Sequence, residues 1–143
     1  MLIKEIIENY IRQNNAVAFF LKETGADCLS FDETLPLFIE KLKETSYNPE
    51  LGTRFTGQLL MAENEELYNQ YELEDIRMLL NSLLVLQKTN IEAYLDAANF
   101  EYGIMDNNVR AKEIVTEGIV MTKEKLAALE LLLTEIEDDE AST

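Results

Sequence analysis

The apolar residues of this chain recur at intervals of three and four along most of its length, which is the spacing of one helical face. The first such stripe lies in residues 2–24, and Gly25 follows it where a helix C-terminus favours a left-handed residue. Because Asn14-Asn15 weakens the pattern, we expect either one bent helix or two short helices here. The large apolar residues of its first half are Leu2, Ile3, Ile6, Ile7, Tyr10 and Ile11.

Two further helices carry recognisable start signals. Ser30 followed by Glu33 fits a capping box, and the apolar spacing behind it predicts a helix to about Thr45. Pro36 is tolerated only near a helix start, so we place that start at Asp32 or Thr34. The next signal is Asn48-Pro49, a capping residue followed by a proline at the first helical position.

Residues 73–88 form the most apolar helical pattern, and we expect this helix to be buried. Residues 90–136 then show three helical patterns in a row, with a tight polar break near Asp106-Asn107-Asn108. The first of the three, over residues 91–104, is apolar on two sides, which is typical of a helix sandwiched between neighbours. The third covers residues 122–136.

Together these patterns predict an all-α protein of six or seven helices, arranged as a bundle or a short repeat-like stack. At 143 residues and 47% apolar composition, the chain is long and hydrophobic enough for one domain, which we assign to residues 1–136. Residues 137–143 are acidic and lack large apolar side chains, so we expect a disordered tail there. No apolar run approaches the roughly 20 residues needed to span a bilayer.

Charge narrows the choice of partners. Twelve basic and 28 acidic residues give 12 − 28 = −16, which repels nucleic-acid phosphates and anionic membranes. We therefore expect neither a nucleic-acid partner nor a membrane partner. The acidic excess either serves solubility or receives a basic protein partner.

The residue inventory also restricts the chemistry. Without histidine the chain has no His-based triad and none of the usual zinc or di-iron patterns, so we predict no catalytic residue, metal ligand or cofactor. Cys28 is the only cysteine; no basic residue adjoins it, and we expect a small core residue rather than a nucleophile. One cysteine and an N-terminus without a signal-peptide pattern favour the cytoplasm.

Residues 90–136 resemble a tetratricopeptide-type helix pair. The resemblance rests on small and aromatic positions of two successive helices and on Lys123, which stands where the family has its closing proline. It implies an antiparallel helix pair that binds peptides, with Asp96 and Phe100 facing the groove. The basic and asparagine residues that clamp a peptide C-terminus in some members are missing here. The matching positions are Leu95, Ala98, Asn99 and Tyr102 in the first helix, and Ala111, Val115 and Gly118 in the second.

These observations favour a non-catalytic, cytoplasmic protein-interaction or adaptor module. Two alternatives remain open: an acidic inhibitor or immunity-type protein that covers a basic partner site, and a carboxylate-based enzyme or small-ligand-binding helical bundle. The stripes on residues 2–24 and 73–88 carry more apolar side chains than a small bundle covers, so we also expect a homodimer.

Gly118 gives the most specific packing prediction. It shares a helical face with Ala111, Ile114 and Val115, and a glycine inside a helix costs about 1 kcal/mol relative to alanine. We therefore expect Gly118 to let either the 91–104 helix or the 122–136 helix approach closely.

Overall fold

The protein is all-α. A computed structural model describes residues 2–25, 30–61, 63 and 65–142, and these residues form six helices of 13 to 34 residues, one helix of four residues and no strand. The fold class predicted from the sequence is thereby confirmed. The helices are α1 (Leu2–Thr24), α2 (Phe31–Glu44), α3 (Pro49–Met61), α4 (Glu65–Tyr68), α5 (Leu73–Leu86), α6 (Ile91–Gly103) and α7 (Asn108–Ala141).

The helices divide into two compact units. The first ends at Leu79 and the second begins at Leu80, so the division falls inside α5. The sequence predicts one domain over residues 1–136, and this single-domain organisation stays a prediction. Cys28, which we expect to be a small core residue, lies outside the described residues.

The first unit is built around contacts of α1, α2 and α3. Its core contains Val17 of α1, two α2 side chains and Leu51 of α3, because each helix turns one apolar stripe inward. The rings of Phe20 and Phe38 meet edge to face, with centroids 5.0 Å apart and an interplanar angle of 70°. The remaining members of this core are Leu42 and, partly buried, Leu21 and Phe55.

The predicted helix starts in this unit are confirmed by their hydrogen bonds. The Glu33 amide donates to Ser30 Oγ and the Ser30 amide donates to Glu33 Oε2, each at a distance of 3.2 Å, and the two bonds complete the capping box. Helix α2 therefore begins at Phe31, slightly earlier than Pro36 suggested. Asn48 Oδ1 accepts from the Glu50 amide at 2.9 Å and caps α3.

The two stripes for which we predict self-association are covered unequally. Helix α1 is one continuous helix, and its side chains from Ile3 to Ala16 are exposed. In α5 the apolar pattern is buried on one face only, and Leu73, Met78, Val85 and Leu86 are exposed, so the expected burial of this helix is partial. The buried members are Ile76, Leu80, Leu83 and Leu84.

In the second unit a short turn connects α6 to α7, and the two helices pack against each other. The turn lies at the predicted polar break: Asp106 adopts a positive φ of 53°, and Asn107 Oδ1 accepts from the Arg110 amide at 3.1 Å to cap α7. Helix α6 is only partly buried: Ile91, Leu95 and Tyr102 keep 46% to 66% of their surface exposed, so the prediction of a helix sandwiched between neighbours is wrong. The buried apolar residues of the pair are Ala93, Tyr94, Ala97, Ala98 and Phe100 in α6, and Ala111 and Ile114 in α7.

Helix α7 differs from its prediction in length. The sequence suggests a second helix and a separate third helix over 122–136, whereas the structure has one helix of 34 residues. No glycine or proline follows Gly118, and good helix formers fill the chain from Lys123 on, so nothing ends the helix. It continues through residues 137–141, where the sequence predicts a disordered tail.

Candidate functional site

The strongest candidate site is an open groove of about 300 Å³ between α6 and α7. Its surface is apolar except for a threonine hydroxyl and one lysine, and none of its residues is acidic. It therefore offers shape and hydrophobic contact rather than acid–base chemistry. The groove is lined by Ile91, Tyr94, Leu95, Val115, Gly118, Ile119, Thr122 and Lys123.

Gly118 sets the distance between the two helices at this groove. A Cβ atom on Gly118 would lie 2.9 Å from Tyr94 Cγ and 3.0 Å from Tyr94 Cβ, closer than carbon atoms approach. The prediction that Gly118 permits a close approach of the 91–104 helix is confirmed. The alternative, an approach of the 122–136 helix, is wrong because those residues continue α7 itself.

The tyrosine that meets Gly118 is held at both ends of its side chain. Tyr94 Oη donates a hydrogen bond of 2.7 Å to the carbonyl oxygen of Lys88, which precedes α6. The other end of the side chain lies against Gly118. Tyr94 therefore forms a fixed wall of the groove rather than a mobile one.

The side chains along the groove are partly accessible. Ile91, Leu95, Val115 and Ile119 keep between 43% and 48% of their surface exposed, so a partner could reach all four. Their buried remainder packs within the helix pair, which holds them in place. A pre-formed apolar groove of this kind lowers the ordering cost of binding.

A second groove of about 330 Å³ lies nearer the α6–α7 turn. Val115 borders both grooves, and Tyr102 adds an exposed aromatic ring to this one. Its lining is more polar than that of the first groove. The other residues around it are Ala98, Asn99, Asn108, Ala111, Lys112 and Thr116.

The first unit contains a groove of about 310 Å³ beside α5, and hydrogen bonds occupy its polar groups. Tyr71 Oη donates to the carbonyl oxygen of Leu59 at 2.5 Å. Asp75 Oδ2 accepts from the Glu72 amide at 2.8 Å and so serves the start of α5. Asp75, the one acidic residue that lines this groove, therefore stabilises the start of a helix.

The two residues that the tetratricopeptide resemblance assigns to a groove lie elsewhere. Phe100 is only 2% exposed, so its ring packs in the helix pair and cannot contact a bound peptide. This burial follows because Phe100 shares one apolar face of α6 with the buried residues Ala93 and Ala97. Asp96 is half-buried and lines neither groove of the helix pair.

Glu101 is a buried residue that the sequence did not distinguish. Glu101 is only 2% exposed, and its carbonyl oxygen accepts from the Asn107 amide at 2.8 Å. In a chain with 28 acidic residues, no pattern separates one buried carboxylate from its exposed neighbours. Only the tertiary packing of α6 reveals it.

The described residues contain neither a candidate metal cluster nor a helix suited to crossing a membrane. Among residues 2–25, 30–61, 63 and 65–142, no three cysteine or acidic side chains are grouped so that they could hold a metal ion. Within the same ranges, no helix combines the length and hydropathy that crossing a bilayer requires. No protein-family model, curated protein or solved structure matches the chain.

Proposed function

We propose that this protein is a non-catalytic protein-interaction module that binds its partner in the groove between α6 and α7. The observation that carries the proposal is the set of half-exposed apolar side chains around that groove. Apolar grooves between helices are a common way to receive the apolar face of a partner helix. We include a tetratricopeptide-type arrangement of α6 and α7 in this proposal, because the two helices pack together and are joined by a short turn.

The partner we propose is an amphipathic segment of a basic protein. Its apolar face would enter the groove, and its basic face would meet a chain whose net charge is −16. Electrostatic attraction of this kind mainly raises the association rate and weakens with added salt. A cytoplasmic location is part of the proposal and is supported by the single cysteine.

The character of the groove favours this function over a carboxylate-based enzyme. An enzyme of that class needs acidic side chains that converge on a pocket. The eight residues of the α6–α7 groove include none, and Asp75 at the first-unit groove caps a helix. We therefore assign the groove to protein recognition.

A matched pair of variants tests the proposal. Leu95→Glu places a charge in the groove, and Val120→Glu places the same charge on an exposed α7 position outside all three grooves. The wild-type protein and both variants are immobilised and exposed to an extract of the native cell at low and moderate salt. The captured protein is then purified, and its affinity for all three is measured by calorimetry.

We expect wild type and Val120→Glu to bind the same basic protein, and Leu95→Glu to bind it at least about tenfold more weakly. Moderate salt should weaken binding to wild type and Val120→Glu alike. Equal binding by the two variants would exclude the groove as the interaction site. Failure to capture any basic protein at low salt would oppose the proposed function itself.

A further inference from the structure

The second half of α7 carries an apolar face that this chain leaves open. We call Leu126, Leu129, Leu133 and Ile136 the leucine stripe; they follow one another at spacings of three, four and three. Each is between 46% and 66% exposed, and every side chain from Lys123 to Ser142 is exposed. Apolar side chains at these spacings form the contact face of a coiled coil.

The helix that presents the leucine stripe is already anchored. The first half of α7 packs against α6 through Ala111, Ile114 and Gly118, and the helix then continues without a break. The stripe is therefore displayed on a preformed element. A partner helix need not order it on binding, which reduces the entropic cost of association.

Charges at the two ends of the leucine stripe are opposite in sign. Lys123 and Lys125 lie just before its first leucine, and Glu137 and Asp139 lie just after Ile136. In heptad terms these four residues occupy the positions that flank the apolar contact, where charged side chains determine partner and orientation. The leucine stripe thus has a basic end and an acidic end.

We propose that a second copy of this chain covers the leucine stripe, with the two α7 helices antiparallel and centred on Leu131. Leu126 and Ile136 each lie five residues from this centre, and Leu129 and Leu133 each lie two residues from it. In this register Leu126 of one copy faces Ile136 of the other, and Leu129 faces Leu133. Every apolar side chain of the stripe then meets an apolar side chain.

The same register pairs opposite charges at both ends. Lys123 of one copy lies beside Glu137 of the other, and Lys125 lies beside Asp139. At the centre of the dimer, Leu132 of one copy lies beside Leu132 of the other on one flank of the contact. On the other flank Glu130 lies beside Glu130, which is the one like-charge contact among these flanking pairs. A parallel pair would instead gather the acidic ends of both copies, from Glu135 to Glu140, at one place.

The split charge also argues against a different occupant. A uniformly basic helix would be repelled by Lys123 and Lys125 at one end of the leucine stripe, and a uniformly acidic helix by Glu137 and Asp139 at the other. An antiparallel copy of α7 places its acidic end beside the basic end of the leucine stripe and its basic end beside the acidic end. The leucine stripe itself lies outside the α6–α7 groove, and the two proposed surfaces share only Lys123, which borders that groove.

Sedimentation equilibrium on the full chain tests the dimer. The chain mass is 16.4 kDa, so the dimer should weigh twice that, and we expect it to form at concentrations on the order of 10 μM. Leu129→Glu puts a charge into the apolar contact twice per dimer. Leu131→Glu introduces the same charge at an exposed position on the opposite side of the helix.

We expect Leu129→Glu to weaken the dimer by about 100-fold or more, because a buried unpaired charge opposes association, and Leu131→Glu to leave it nearly unchanged. Circular dichroism controls for folding, since both positions are exposed in the single chain and neither variant should lose helix. A monomer at about 100 μM wild-type protein would overturn the proposal. Equal weakening by both variants would also overturn it.

Spin labels distinguish the antiparallel pair from a parallel one. In a Cys28→Ser background, a cysteine replaces either Leu131 or Asp138, which lie on the same side of α7 one heptad apart. In the antiparallel pair the two position-138 labels are displaced along the axis by about 14 residues × 1.5 Å, or about 21 Å, whereas the position-131 labels are level. We expect double electron–electron resonance to give a longer label-to-label distance at position 138 than at position 131. Equal distances at the two positions would exclude the antiparallel arrangement.

Discussion

The two halves of helix α7 have similar apolar patterns and different environments. In the first half Ala111, Ile114 and Gly118 are buried against α6, although two of these three residues are small. In the second half larger residues, among them Leu129 and Leu133, remain exposed. An apolar stripe in the sequence therefore indicates that a helix has a contact face. Which element covers that face depends on the tertiary structure.

The difference has a local physical cause. Close packing needs a place where two backbones approach, and Gly118 provides it by leaving room for the ring of Tyr94. No glycine follows Gly118 in α7, and every side chain from Lys123 to Ser142 is exposed. In α7 the glycine, rather than the number of large apolar residues, therefore marks the packed half.

Truncating one apolar side chain in each half should give the largest contrast. Ile114→Ala removes a fully buried side chain and should lower the free energy of unfolding by about 2–5 kcal/mol, because it loses contacts and leaves a cavity. Leu131→Ala, at an exposed position off the leucine stripe, should change it by less than about 0.5 kcal/mol. Urea denaturation at one fixed protein concentration, followed by circular dichroism, measures both. Similar losses for the two variants would mean that the halves of α7 are packed alike.

Enlarging Gly118 should have the next largest effect. Gly118→Leu forces a bulky side chain against Tyr94 and should destabilise the protein by about 1–3 kcal/mol through overpacking. The tyrosine cannot swing aside freely, since its hydroxyl is bonded to the Lys88 carbonyl oxygen. The same denaturation experiment applies. An unchanged or higher midpoint would show that α6 and α7 do not meet at this residue.

Most of this fold could be predicted from the sequence, because its signals are local. The capping box of Ser30 and Glu33, the start at Pro49 and the polar break at Asp106 each involve residues a few positions apart, and each is present. The tetratricopeptide resemblance places a break near Lys123, where no helix-ending residue stands, and the acidic run after Ile136 is unfavourable near a helix C-terminus, yet α7 continues through both. Favourable helix propensity before the acidic run outweighs this penalty.

The candidate site could be predicted less well. The aromatic and small residues of α6 indicate a helix pair, but periodicity does not say which of two apolar faces borders an open groove. The tetratricopeptide resemblance assigns Phe100 to a peptide groove, whereas the structure buries Phe100 and lines the α6–α7 groove with Tyr94 and Leu95. The close contact of Gly118 was foreseeable because a helix-interior glycine needs a packing reason.

The hydrogen bond that fixes Tyr94 should make a smaller contribution. Tyr94→Phe keeps the ring beside Gly118 and removes the donor to the Lys88 carbonyl oxygen, so we expect a loss of about 1 kcal/mol. Thermal denaturation should show a lower midpoint with unchanged helix content. If Tyr94→Phe is neutral, the bond does not hold the groove wall. Tyr102→Phe, at an exposed ring, is the matched control and should be neutral.

The smallest expected effect comes from one substitution made at two glycines. A Cβ atom on Gly57, in α3, would meet no atom within 4 Å, so Gly57→Ala should stabilise the protein by about 0.5–1 kcal/mol through helix propensity alone. Gly118→Ala gains the same propensity but places its methyl group 2.9 Å from Tyr94 Cγ, so we expect a net destabilisation. Opposite signs in urea denaturation would separate propensity from crowding within one protein. A stabilising Gly118→Ala would mean that Tyr94 yields by a few tenths of an ångström, and that the close approach of α6 and α7 does not require glycine.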